Sequence, residues 1–155
     1  MSDIDYSTIY ACNLYSQYDN FDNENKSHFV TALIKKIQNC VKNGEAVLKL
    51  FGTGKPLRQF IHASDLADII VQGLDRILKT DFNVAGDECH SIREMAEIAL
   101  NVLDKNLILN FDTLMPDGQF RKDASNKKMK ELFPDFEFKP FANGIESVYN
   151  TIINE

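Results

Sequence analysis

The sequence predicts an α/β fold, and three observations carry that prediction. Short β-branched or aromatic runs alternate along the chain with longer stretches whose apolar residues recur at helical spacing. The 155 residues are 44% hydrophobic and 26% charged, the balance of one globular domain rather than a disordered chain. No apolar run approaches the ~18 residues of a membrane span.

Each element has its own justification. The stretch 8–15 (TIYACNLY) reads as a strand buried on both faces. The Asp- and Asn-rich stretch 16–26 is a surface loop. Ser27 is placed to cap a helix whose face is Val30, Leu33, Ile34, Ile37 and Val41, stopped by Asn43-Gly44. Strands over 46–51 and 57–62 flank the turn Gly52-Thr53-Gly54-Lys55-Pro56. Ser64 then caps a helix with Leu66, Ile69, Ile70, Leu74, Ile77 and Leu78 on one side and Asp65 in its first turn. Residues 82–85 form a strand closed by Gly86, and Ser91 with Glu94 makes a capping box for the helix of Ile92, Met95, Ala96, Ala99 and Leu103. A strand at 107–111, a short basic helix at 126–133 and an amphipathic helix at 141–153 complete the chain. The strands are too few to enclose 8–15, so the sequence reads as part of a larger sheet.

Charge and composition exclude several functions. Seventeen Lys and Arg against 23 Asp and Glu give a net charge of −6, which argues against duplex nucleic acid as a partner. Cys12, Cys40 and Cys89 have no C-x-x-C spacing, so neither a disulfide framework nor a zinc site is expected. The N-terminus lacks the basic and apolar regions of a signal peptide, so a cytoplasmic location is expected. Gly52-Thr53-Gly54-Lys55 is not a phosphate loop, because Lys49 and Pro56 stand where a glycine and a Ser or Thr are required. There is no G-x-G-x-x-G, and His28, His62 and His90 share no metal-ligand spacing, so no metal is expected. His62 and Asp65 read as holding a strand-to-helix junction.

Three blocks are more specific than these fragments: Asn13-Leu-Tyr with Asp19-Asn-Phe and Ser27-His28; FGTGKPLRQFIHASDLA over 51–67; and DGQFRKDASN over 117–126. The middle block resembles the extended short-chain dehydrogenase/reductase superfamily. Together the three resemble the GDP-L-fucose synthase family, NADP-dependent epimerase/reductases acting on GDP-4-keto-6-deoxymannose. The resemblance implies that His28 is the catalytic acid of epimerisation, a role suited to an imidazole. It implies substrate binding by Lys36, Phe51, Arg58, Lys122 and Arg121. Lys36 stands in place of an arginine and loses its two-pronged geometry, and Phe51 stands in place of a tryptophan and keeps a stacking face. The backbone of Ala11, Cys12, Asn13 and Leu14 would approach the nicotinamide end of NADP(H).

The resemblance also implies what the chain would lack. None of Tyr6, Tyr10, Tyr15, Tyr18 and Tyr149 is followed four residues later by lysine, so the family's Tyr-x-x-x-Lys pair is absent, as is its glycine-rich cofactor turn. The expectation is therefore a C-terminal half. It would comprise the last strands of a Rossmann sheet plus a small α/β substrate-binding domain, with 1–155 as one region and the N-terminal half missing. Such a half would bind a GDP-sugar and be inactive alone. A complementary N-terminal half would be its partner, in a family that is commonly homodimeric. The alternatives are a non-catalytic GDP-sugar-binding module and a fragment of another nucleotide-sugar epimerase or dehydratase.

Overall fold

Parallel strand pairing recurs throughout the computed structural model, which describes residues 5–21, 28–75, 77 and 79–153. Strand β1 (Ile9–Ala11) runs parallel to a later strand, Phe82–Val84, while β2 (Asn13–Tyr15) runs parallel to another, Phe60–His62. The expected single strand over 8–15 is thus two strands, broken where the chain leaves one partner for the other at Cys12, whose N–H still reaches Val84 O at 2.9 Å. Nor is it buried on both faces. Tyr15 is 2% exposed but Tyr10 is 58% exposed, because the sheet formed by β1 holds two strands and leaves one face open.

Helix α1 (Phe29–Asn43) follows, with His28 rather than Ser27 as its N-cap; Ser27 lies outside the described residues. Its inner face is Val30, Leu33, Ile34, Ile37 and Cys40. Val41 is exposed instead, and Cys40 is buried at that edge of the stripe. Gly44, at φ 67°, ends the helix in the left-handed conformation that costs glycine least. Strand β3 (Val47–Phe51) alternates strictly, burying Leu48 and Leu50.

The run 57–62 is also two strands, β4 (Leu57–Arg58) and β5 (Phe60–His62). The break is Gln59, a buried amide that donates to Gly86 O at 3.0 Å and accepts from Ala124 N–H at 2.7 Å. Helix α2 (Ala63–Gly73) is capped by His62, whose Nδ1 accepts from Ser64 N–H at 3.2 Å; the imidazole takes the role expected of Ser64. The helix stops at Gly73, which is pressed against the Phe133 ring, so Leu74 is exposed and Ile77 lies beyond the helix. Leu78 lies outside the described residues.

Strand β6 (Phe82–Val84) and the two-residue β7 (His90–Ser91) lead into α3 (Ile92–Val102). The capping box at its start is present: Ser91 Oγ accepts from Glu94 N–H at 3.1 Å and Glu94 Oε2 from Ser91 N–H at 2.7 Å. Strand β8 (Ile108–Asp112) pairs parallel with β3 over all five residues, Val47 opposite Ile108 through Phe51 opposite Asp112. The short β9 (Arg121–Lys122) lies parallel to β4, whose other edge pairs antiparallel with β7. Helices α4 (Lys127–Leu132) and α5 (Phe141–Ile153) close the chain.

Two apolar clusters organise these elements. Leu33, Ile37, Leu48, Leu50, Met95 and Ile145 join α1, α3 and α5 to β3. Ile61, Ile69, Phe82, Val84, Met129 and Phe133 join α2 and α4 to β5 and β6. Strands interspersed with helices therefore run through the whole described chain, and all five helices pack on one or other of these cores. This corrects the expected fold class. The chain is a Rossmann-like β–α repeat along its length, not terminal Rossmann strands attached to a small domain with a half missing.

Gly144 on α5 meets the Tyr15 ring: an added Cβ would lie 2.8 Å from Tyr15 Cζ. Gly144→Ala is expected to lower stability by about 1–3 kcal/mol, measured by urea denaturation. An unchanged midpoint would show that Tyr15 does not seat on this helix.

Candidate functional site

Four segments converge beside the larger core: the first half of α1, the end of β3, the start of α3, and the loop before β9. They enclose a cleft of about 330 Å³ whose walls include Phe29, Lys36, Leu50, Phe51, Pro116 and Asp117. Lys36 reaches it from the second turn of α1, donating to Lys49 O at 3.1 Å, and its Nζ lies 4.7 Å from the centre of the Phe51 ring. Phe51 is the last residue of β3 and 62% exposed, so a planar group entering the cleft finds an aromatic surface already standing in solvent.

The turn 52–56 is fixed from two sides. Gly52 and Gly54 have φ of 79° and 76°, and both are crowded: a Cβ on Gly52 would collide with the Asp117 carboxylate, and one on Gly54 would lie 2.6 Å from the Phe111 ring. Between them Thr53 donates its N–H to Asp117 Oδ1 at 2.6 Å and its hydroxyl to Oδ2 at 2.7 Å. These bonds to the ionised form hold the Asp117 carboxyl below its usual range. The sequence tests Gly52-Thr53-Gly54-Lys55 for a phosphate and rejects it; the structure shows that the turn receives a carboxylate of the chain itself. Sequence reasoning missed Thr53, Asp117 and Phe29. The signals were the G-x-G turn and the Pro116-Asp117-Gly118 turn, which only a tertiary contact joins.

The other expected site residues fall into three places. His28 caps α1 beside Phe29, exposed and with no side-chain capping bond, so its imidazole is free of the helix it starts. Arg58 and Lys122 are register partners across β4 and β9, which puts both side chains on one face of that sheet, with His90 opposite Arg58 on the other edge. Arg58 folds back so that Nη1 donates to Leu57 O at 2.7 Å. Arg121 points to the opposite face and engages Asp123 through Nε at 2.9 Å and Nη2 at 2.6 Å, raising its own pKa and lowering that of Asp123. The structure therefore brings Lys36 and Phe51 together in the cleft. It places Arg58 and Lys122 on the strands leading away from it, and gives Arg121 a partner of its own.

Ala11, Cys12, Asn13 and Leu14 form the β1–β2 junction, away from the cleft. Asn13 Nδ2 donates to Gln59 O at 2.8 Å, and burial pushes the Cys12 thiol above its ordinary pKa. Burial raises Cys40 and Cys89 as well. His62 and Asp65 hold the strand-to-helix junction: Asp65 Oδ2 accepts Lys139 N–H at 3.1 Å, and burial, then Lys139, lowers the His62 pKa. Among the described residues no group of three or more His, Cys, Asp or Glu side chains is placed to hold a metal, and no helix is long and apolar enough to cross a membrane.

A family model described as the NAD dependent epimerase/dehydratase family matches residues 1–85. A GDP-L-fucose synthase of Dictyostelium discoideum is 34% identical over 144 residues, 91% of this chain and 44% of that protein. A GDP-L-colitose synthase of Yersinia pseudotuberculosis is 33% identical, over 84% of this chain and 43% of its own. The solved GDP-L-fucose synthetase from Naegleria fowleri bound to NADP superposes with a TM-score of 0.85 at 27% identity, covering 96% of this chain and 46% of that one. The chain thus spans under half the length of the curated relatives it matches. Within this chain the likeness is nearly end to end. That overturns the expectation of a resemblance to a C-terminal half alone and of a half-enzyme inactive by itself.

The Thr53–Asp117 contact has a defined pH dependence. The Asp117 pKa is lowered in the folded chain, so the contact is fully present above the carboxyl's unfolded pKa and is lost as pH falls through the folded value. Carboxyl NMR titration is expected to give Asp117 a midpoint below an ordinary aspartate, moving upward in Thr53→Val. Equal midpoints in the two proteins would remove the contact from the account.

Proposed function

Because this chain belongs to the NAD dependent epimerase/dehydratase family, we propose that it acts on a GDP-linked keto-sugar, as the names of its GDP-L-fucose synthase relatives indicate. The observation that carries this reading is the joining, in one cleft, of an exposed aromatic surface, a lysine above it and the start of the helix that bears His28. The nucleoside enters against Phe51. Lys36 offsets negative charge at the cleft, and Arg58 with Lys122 holds the diphosphate by charge-assisted hydrogen bonds once Arg58 gives up its contact with Leu57 O. His28 is the general acid of epimerisation in this reading, giving a proton to the sugar carbon from which a base has removed one.

NADP(H) is the cofactor this reading implies, from the NADP-bound relative. The backbone at 11–14 offers ends of parallel strands to a nicotinamide. The dinucleotide's diphosphate, however, finds no seat among the described residues. The glycines at positive φ (44, 52, 54 and 118) stand at a helix end, in the turn after β3 and in the loop before β9, none of them opening a helix after a strand. The residues present do not fit the whole cofactor.

Thermal denaturation with GDP and UDP tests the substrate class. GDP at a hundredfold excess over its Kd is expected to stabilise the chain by about 2.7 kcal/mol. Arg58→Ala is expected to weaken GDP about tenfold or more, the loss of one charge-assisted contact. No response to GDP, or an equal response to UDP, would contradict the proposal.

A further inference from the structure

We propose that Gln59 is the positioning residue that holds Lys122 beside Arg58, so that the two cations meet the diphosphate as a pair. This rests on the reading that Arg58 and Lys122 bind the diphosphate of a nucleotide sugar. Lys122 draws little support from its own strand. Strand β9 has two residues, both exposed, at the edge of its sheet, and the chain leading into it is exposed from 113 to 120. Arg121 is engaged with Asp123, so Lys122 is the cation that β9 has to offer. A segment with so little buried surface depends on its polar tethers.

Two tethers to the strand of Arg58 lie on either side of Lys122. Before it, Leu57 N–H donates to Phe120 O at 2.8 Å. After it, Gln59 Oε1 accepts from Ala124 N–H at 2.7 Å. Gln59 directly follows Arg58, so its side chain fixes the exit of β9 to the end of β4. Asn83 Nδ2 donates to Ser125 O at 3.2 Å and Asn126 Nδ2 to Ala85 O at 2.9 Å. These set 125–126 against β6, whereas the Gln59 bond sets Lys122 against Arg58. The amide can do this because it is itself held. It is 7% exposed, and Nε2 donates to Gly86 O at 3.0 Å. A carbonyl on one side and an N–H on the other leave the amide a single orientation. Its backbone carbonyl accepts from Asn13 Nδ2 at 2.8 Å, which joins β2 to the same point. An apolar side chain would serve packing without the cost of burying an amide. The amide adds an acceptor aimed at one N–H, two residues beyond Lys122.

Calorimetric titration of the full chain with GDP tests the assignment through a double-mutant cycle with Lys122→Ala. In the unsubstituted protein Lys122→Ala is expected to weaken GDP about tenfold, the loss of one charge-assisted contact. Gln59→Met fills the space but bonds neither partner. There Lys122→Ala is expected to weaken GDP by less than about twofold, because Lys122 has already left its place. Gln59→Glu keeps an acceptor for Ala124 and loses the donor to Gly86 O, and there Lys122→Ala is expected to cost about tenfold again. Both Gln59 variants are expected to lower the urea midpoint. A role confined to stability would leave the effect of Lys122→Ala equal in all three backgrounds, and that result overturns the assignment. So does a Gln59→Glu protein that behaves as Gln59→Met. Hydrogen exchange in the unsubstituted protein needs no variant to fold. Ala124 N–H is expected to exchange about tenfold or more slowly than Gln119 N–H in the exposed loop, and equal rates overturn the assignment. No weakening by Lys122→Ala in the unsubstituted protein overturns it too, while leaving the functional reading standing. No response to GDP at all overturns that reading, and the assignment falls with it.

Discussion

The parallel register of β3 and β8 decides where every other part of the cleft can stand. Five residues pair, Phe51 ends opposite Asp112, and Gly52 N–H extends the ladder to Asp112 O at 3.0 Å. Two chain segments far apart in sequence therefore leave the sheet at the same end and at the same height. The first becomes the turn 52–56. The second reverses at once, with Leu114 N–H on Asp112 Oδ1 at 3.1 Å, and runs to Pro116 and Asp117. A slip of one residue would send Leu48 and Leu50 to solvent, at about 1.5–3 kcal/mol for each buried leucine, and carry Phe51 to the other face. The core that stabilises the fold is thus the same interaction that presents the aromatic ring.

Polar contacts then refine what packing has placed. Thr53 and Asp117 tie the two departing segments together, and Arg93 lies 4.3 Å from the centre of the Phe111 ring on the far side of the same turn. The turn is held between a carboxylate and an aromatic ring, which is why glycine occupies both crowded positions. The sheet of β7, β4 and β9 continues directly from that turn. In this way the cleft and the face carrying Arg58 and Lys122 share one rigid connection, although these cations stand outside the cleft walls.

Much of this was legible in the sequence. The capping box at Ser91, the strand at β3 and the terminal helix follow from local signals that no distant contact overrides. What escaped depends on partners. The stretch 8–15 reads as one strand because its residues share β-propensity, whereas two different neighbours divide it at Cys12. The run 57–62 is divided by the demand of a buried Gln59 amide, and His62 displaces Ser64 as a cap because the helix already begins at Ala63 and the ring nitrogen accepts the Ser64 N–H. Strands of two residues, β7 and β9, have no periodicity to read. The family's motifs pointed to Lys36 and Phe51, which do meet, but motif spacing carries no information on the contact between Thr53 and Asp117. Reading the missing motifs as a missing half also misjudged the fold, since strands interspersed with helices run along the chain and feed both cores.

The account stands or falls on the cleft between α1 and the end of β3 being the place where a nucleotide binds. Backbone amide NMR of the isotopically labelled chain during a GDP titration maps that place directly. Shifts concentrated at Phe29, Lys36, 50–54 and 117–118, with smaller ones at Arg58 and Lys122, are the predicted result. Shifts concentrated instead at the groove lined by Tyr10, Asn83, Lys127 and Lys128 would contradict it.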